Sequence, residues 1–273
     1  MILFKFIRFL ITIANRLTPR LSGWIAYHLF FLPIGRKYRT EEIEYLESME
    51  KEDFLIDNRS VYLYFKGEGP YTLFCHGWAG NSMQFRKFIE AIESERSIML
   101  VDMPAHGSSP GVQTDAVAFS FTIEHILNHY NIENIICHSL AGMSLALALT
   151  RGSDQPDKAV FISTTTSTND ILEFFVNQIG GDYRTRERLV QLLQKRFNRS
   201  FNDFNAAEIL KEYEKTPKSL VVLDDSDPQV KVSNGEELAT VLNADLYLSS
   251  GLGHNRLLKD EKVVSQVVAF LAT

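Results

Sequence analysis

Ile132-Glu133-Asn134-Ile135-Ile136-Cys137-His138-Ser139-Leu140-Ala141-Gly142-Met143-Ser144 is the stretch on which the reading of this chain turns. Its first part, Ile132–Cys137, closes on an apolar run of the kind found in strands buried on both faces. A helix is predicted over Leu140–Thr150. Ser139 therefore falls where a strand gives way to a helix.

The same rhythm extends to either side. Apolar runs at Tyr71–Cys75, Ser97–Val101, Ala159–Ile162, Leu220–Leu223 and Leu246–Ser249 alternate with helix candidates at Met83–Ile92, Ala116–Tyr130, Glu236–Leu242 and Glu261–Leu271. Covered strands alternating with helices predict a mostly parallel sheet with helices on both faces. Right-handed crossovers then gather the strand C-termini on one edge, where ligands of such sheets sit. Upstream, Glu41–Lys51 reads as a charged, exposed helix. Phe54–Ile56 and Val61–Phe65, separated by Asp57-Asn58-Arg59-Ser60, read as a hairpin. Residues 167–216 hold helix-like pieces, Ile171–Ile179 and Thr185–Arg196, and no strand candidate, so a helical cap is expected there.

Five strand ends carry reactive or turn-forming residues. They are His76-Gly77-Trp78-Ala79-Gly80, Asp102-Met103-Pro104-Ala105-His106-Gly107-Ser108, His138-Ser139-Leu140-Ala141-Gly142, Asp224-Asp225-Ser226-Asp227-Pro228 and Ser250-Gly251-Leu252-Gly253-His254. The chain from residue 41 resembles the α/β-hydrolase superfamily, in the branch with HGW, DxPAHGxS and GLGH motifs. The order Ser139, Asp227, His254 is that family's triad order. The resemblance implies Ser139 as nucleophile, His254 as its base and Asp227 as the group that orients the imidazole. It also implies an oxyanion hole made by the backbone N–H groups of Trp78 and Leu140. Its D-x-x-D-x-x-V pattern places Asp224 first, Asp227 in the triad and Val230 last, with Asp225 the rival acid. His76, Gly77 and His106 belong to loops at the mouth of the site, and His138 reads as packing. The elbow departs from G-x-S-x-G: Cys137 replaces the first glycine and Ala141 the last, and a cysteine there is expected to crowd the turn.

The implied activity is that of a serine hydrolase acting on an ester or related acyl substrate through a covalent acyl-enzyme. No metal or organic cofactor is required. The reading from another class is an inactive binding or scaffold protein that kept the fold. Glu124, His125 and His129 do not match H-E-x-x-H and read as an ordinary helix face. In the cap, Ile171, Leu172, Phe174, Phe175 and Val176 suggest a pocket for an apolar acyl group.

The totals set bounds. At 273 residues, 45% hydrophobic and 23% charged, the chain suits one sizeable α/β domain. A net charge of −6 argues against nucleic acid as a partner. Cys75 and Cys137 are too few for a disulfide framework and read as reduced thiols of a cytoplasmic protein. The two Asn-x-Ser sequons, at Asn58 and Asn198, carry no meaning without a secretory route.

Residues 1–40 stand apart as a basic segment before a 41–273 hydrolase domain. They hold Lys5, Arg8, Arg16, Arg20, Arg36, Lys37 and Arg39 and no acidic residue. No stretch reaches the roughly 18 uncharged apolar residues of a membrane span. The segment reads as an amphipathic helix. Lys5, Arg8, Thr12, Asn15 and Arg16 lie on one side, with Ile2, Leu3, Phe6, Ile7, Phe9, Leu10, Ile13 and Leu17 opposite. A second apolar piece, Trp24–Leu32, ends at Pro33. Peripheral contact of residues 1–35 with the inner face of a membrane, packing on the domain itself and a homodimer arm are the three coverings such a face fits.

Overall fold

The computed structural model describes residues 2–56, 58–213 and 216–273. Asp57 of the expected turn, Glu214 and Lys215 of the expected cap, and the side chains of Ile2 and Leu3 lie outside the described residues. The chain forms two compact units, one of residues 33–166 and 206–273, the other of residues 1–32 and 167–205.

The first unit is built on an eight-stranded sheet of order β1-β2-β4-β3-β5-β6-β7-β8. Its strands are β1 (Glu50–Ile56), β2 (Arg59–Lys66), β3 (Tyr71–Cys75), β4 (Ser97–Asp102), β5 (Ile132–His138), β6 (Lys158–Ile162), β7 (Lys218–Asp224) and β8 (Asp245–Ser249). β1 and β2 form the antiparallel hairpin, β2 runs antiparallel to β4, and every pairing from β4 to β8 is parallel. The parallel strands are apolar on both faces because both faces are covered. Phe74, Leu100, Ile136, Val160 and Val222 face a core shared with α4 (Arg86–Ile92) and the C-terminal helix Glu261–Ala272. Their neighbours Leu73, Met99, Val101, Ile135, Phe161 and Val221 are fully buried on the opposite side. Among the helices of the unit are α5 (Ala116–His129), α6 (Leu140–Thr150) and α10 (Val232–Leu242). The Asp115 carboxylate caps α5 by accepting the Ala118 N–H at 2.9 Å, satisfying one of the amides that a helix start leaves open.

Two expectations are corrected here. The charged helix ends at Glu47, and Glu50 to Asp53 extend along β1. β1 is an edge strand whose first four residues are exposed, so its backbone pairs with β2 while both of its faces meet water. Charge without an apolar period is what such a strand shows. The cap is shorter than residues 167–216: Ala206–Lys211 is a helix of the sheet unit.

In the second unit, α1 (Ile2–Leu17) and α2 (Pro19–Phe30) share one core with α7 (Thr168–Ile179) and α8 (Tyr183–Phe197). Ile7, Ile11, Ala26, Phe31, Leu172, Val176, Ile179, Leu189 and Leu193 fill it. Residues 1–32 are thus no separate segment. Asp182 caps α8 in a reciprocal box with Thr185, whose hydroxyl donates to Asn15 Oδ1 of α1 at 2.7 Å. Leu172 and Val176, expected to line an acyl pocket, are consumed by this core, and Phe175 packs edge-on against Phe30.

Candidate active site

Five loops leave the C-terminal ends of β3, β4, β5, β7 and β8, and each is fixed by its own chemistry. Ser139 follows β5 with φ 55° and ψ −120°, a conformation uncommon for a residue with a Cβ. It starts α6 and leaves its side chain half-buried. Cys137 and Ala141 are absent from the residues with positive φ, so the backbone at both suits any L-residue. The tight approaches fall on glycines elsewhere. A Cβ on Gly77 would stand 2.8 Å from the Ser139 Cβ, and one on Gly142 would stand 2.1 Å from Thr164 Oγ1. The backbone at Cys137 thus demands no glycine, contrary to the expectation from the elbow pattern. The Cys137 side chain is fully buried in register with Cys75.

The Ser139 hydroxyl lies 3.0 Å from His254 Nε2, and His254 Nδ1 lies 2.8 Å from Asp227 Oδ2. The other Asp227 oxygen accepts the Gln229 N–H at 2.8 Å and the Val230 N–H at 3.2 Å. Burial alone would raise this carboxyl; the His254 contact and the Gln229 amide outweigh it and hold the group below the usual carboxylate range. An ionised acceptor at that point makes Nδ1 the protonated nitrogen and leaves Nε2 to accept from Ser139.

The neighbouring acids do other work. Asp224 accepts the Gly253 N–H at 2.7 Å, the Leu252 N–H at 3.0 Å, the Ser226 N–H at 3.0 Å and the Ser249 hydroxyl at 2.8 Å. It clamps the loop that carries His254. Burial would raise it too, but these donors keep it low. Asp225 is exposed and accepts from Ser226 Oγ and the Gly251 N–H. It does not reach His254.

Opposite them, two neutral imidazoles tie the β3 and β4 loops together. His76 Nδ1 donates to Gly77 O at 2.8 Å, and its Nε2 accepts the Met103 N–H at 3.0 Å. His106 Nδ1 donates to Pro104 O at 3.0 Å, and its Nε2 accepts the Ala79 N–H at 2.9 Å. Accepting from an amide demands the uncharged ring. Burial pushes His76 down to about 4 and, helped by His76, His106 down to about 3. Neither the Trp78 nor the Leu140 N–H finds a backbone acceptor among the described residues. Leu140 follows Ser139 at the start of α6, and Trp78 follows Gly77, where a Cβ would stand 2.8 Å from that of Ser139.

Several parts of the frame escaped the sequence reading. His138 is more than packing. Its Nε2 donates to the His254 carbonyl at 3.1 Å, its Nδ1 accepts from Gln84 at 3.2 Å, and its ring lies 4.8 Å from that of His254. Burial, then the nearby His254, pushes it down to about 3. Asp102 is fully buried and accepts from the hydroxyl of Tyr38, the Ser82 N–H at 3.0 Å and the Ser108 N–H at 2.7 Å. Tyr38 precedes the sheet by more than ten residues, and no local pattern links it to Asp102. The Asp102 carboxylate also explains Gly107: with φ 55°, a Cβ there would stand 2.2 Å from the carboxylate carbon. His125 and His129 stack on each other on α5, away from these loops, and the described residues hold no cluster of ligands suited to a metal.

A family model described as the α/β-hydrolase fold matches residues 73–257. A pimeloyl-[acyl-carrier protein] methyl ester esterase of Nitrosospira multiformis is 29% identical over 115 residues, which span 40% of this chain and 43% of that protein. Among solved structures, the Pyrococcus furiosus esterase Pf2001 superposes with a TM-score of 0.62 at 17% identity, over 88% of this chain and 96% of that one. The esterase RhEst1 of Rhodococcus sp. superposes with a TM-score of 0.58 at 16% identity, over 83% and 99%. The strand order and a family match running from β3 to beyond His254 make this chain a member of the α/β-hydrolase fold family.

Proposed function

We propose that the protein is a serine hydrolase that cleaves carboxylic esters through an acyl-enzyme on Ser139. The observation that carries this reading is the unbroken chain from Ser139 Oγ through His254 to Asp227, at 3.0 and 2.8 Å. A serine hydroxyl is a weak nucleophile until a base takes its proton. As Oγ forms its bond to the carbonyl carbon, the proton passes to His254 Nε2, and Asp227 stabilises the imidazolium. The negative charge arrives on the carbonyl oxygen. The N–H groups of Trp78 and Leu140, which find no backbone acceptor among the described residues, are the donors assigned to it, each worth about 3 kcal/mol of transition-state stabilisation. Collapse breaks the ester C–O bond, and the leaving alkoxide takes the proton from Nε2. Water then attacks the acyl-enzyme by the same proton path, releasing the acid and restoring Ser139.

The named relatives are esterases, which supports an ester over an amide as substrate. The test is labelling of the purified protein with a fluorophosphonate, read by mass spectrometry. A stoichiometric adduct on Ser139 is expected, lost in Ser139→Ala and His254→Ala. A folded wild-type chain that takes no label would overturn the reading in favour of a binding protein on the same fold.

A further inference from the structure

α1 presents three faces, and its own core uses only one. Ile7, Ile11 and Ala14, spaced four and three apart, are buried. Arg8, on a second face, gives its guanidinium to the carbonyls of Asn177 and Gln178 at the end of α7. On the third face Phe6, Phe9, Leu10, Ile13 and Leu17 recur at helical spacing and are 39–70% exposed. Leu21 and Trp24 at the start of α2 add to this surplus, Trp24 being 56% exposed. Scattered apolar residues on a surface need no explanation, but a run of this length on one helix face does.

The charges beside that face are of one sign. Lys5 stands four residues before Phe9 and Arg16 three residues after Ile13, so both border the stripe. Arg20 follows on α2. None of these three forms an ion pair among the described residues, and the first 40 residues contain no acid. The remainder of the chain is acidic, so attraction to an anionic surface is concentrated in this segment. A two-fold contact with a second copy would set the same basic patch against itself with no carboxylate from the segment to neutralise it. α1 has 16 residues, about 24 Å of helix against the roughly 30 Å of a bilayer core. No helix among the described residues is long and apolar enough to cross a membrane.

We propose that α1 and the start of α2 dock flat on an anionic lipid surface. Phe6, Phe9, Leu10, Ile13 and Leu17 enter the boundary between headgroups and acyl chains, and Lys5, Arg16 and Arg20 meet the lipid phosphates.

The test is co-sedimentation of the full chain with vesicles of phosphatidylcholine alone, or with about one third phosphatidylglycerol, at low and at roughly 0.5 M salt. The expected result is binding to the anionic vesicles at least tenfold above the neutral ones, weakened by salt. Phe9→Ser with Ile13→Ser should lower it tenfold or more, and Arg16→Gln with Arg20→Gln severalfold. A thermal melt confirms that each variant is folded, and fluorophosphonate labelling reports separately on the serine site. Two results overturn the proposal: wild-type protein that stays in the supernatant with anionic vesicles, or a stable dimer in solution that the Phe9/Ile13 substitutions dissociate.

Discussion

The two compact units use their apolar residues differently. In the sheet unit, the apolar runs of β3 to β7 are covered from both sides, and the polar groups at their ends are engaged with partners around one serine. In the helical unit, α1 covers one apolar face and leaves another in water. The first unit is explained by its own interior and its site. The second carries more apolar surface than its core covers.

Four sets of substitutions or conditions test this contrast, beginning with the largest effect. In the sheet unit, Ser139→Ala or His254→Ala should lower kcat for a soluble ester by about 10⁶, and Asp227→Asn by about 10⁴ through loss of the correct tautomer. Asp225→Asn should change it less than about twofold, the magnitude expected of an exposed group outside the chain of hydrogen bonds. If Asp225 proved the more sensitive position, the assignment of the acid would be wrong.

The buried imidazoles give the next effect. Burial lowers the pKa of His76 to about 4 and those of His106 and His138 to about 3, against a usual value of 6.5, so all three stay neutral in the folded protein well below pH 6.5. Below 6.5 the unfolded chain takes up protons that the folded chain refuses. Their contribution is complete above pH 6.5 and is lost as the pH falls toward 4, with a combined slope of up to about 4 kcal/mol per pH unit. Urea midpoints at successive pH values measure it, and a flat profile across that range would show the rings charging within the fold.

Within α1, the comparison sharpens to neighbours. Ile11→Ala should destabilise the protein by about 2–4 kcal/mol, the cost of emptying a packed site. Phe9→Ala, two residues away, should stay within about 0.5 kcal/mol in solution. Equal losses would mean that the exposed face is covered in the free protein. The smallest expected gain is at the elbow: Cys137→Gly should not raise kcat by more than about twofold, because the backbone there needs no glycine, and the vacated volume should cost about 2 kcal/mol of stability.

The legibility of the sequence follows the same division. The strand ends were readable because each strand is a local apolar run and each reactive residue follows it directly. Leu140–Thr150 was readable to the residue for that reason. Phe54–Ile56 of β1 was readable as well, but Glu50–Asp53 was not, since this half of an edge strand is exposed, shows no period, and its charges resemble an exposed helix. Tyr38, Asp102 and His138 belong to the frame through bonds across long sequence separations, which no spacing rule contains. On α1 the amphipathic pattern is visible in the sequence, but the apolar face read from it omits Ile11, which is fully buried, and the division of that face between core and water is not visible. Only the partner helices decide which apolar residues a helix buries.

Cys75 and Cys137 face each other across β3 and β5, both without exposed surface, and burial pushes the Cys75 thiol up. Since the thiolate is the form that reacts, peroxide and iodoacetamide find little to attack while the sheet is closed. These two sulfurs, the only ones in the chain that alkylate readily, therefore keep time for the opening of its centre. The rate at which they are modified under native conditions reads out how often β3 and β5 part, with no substitution in the chain.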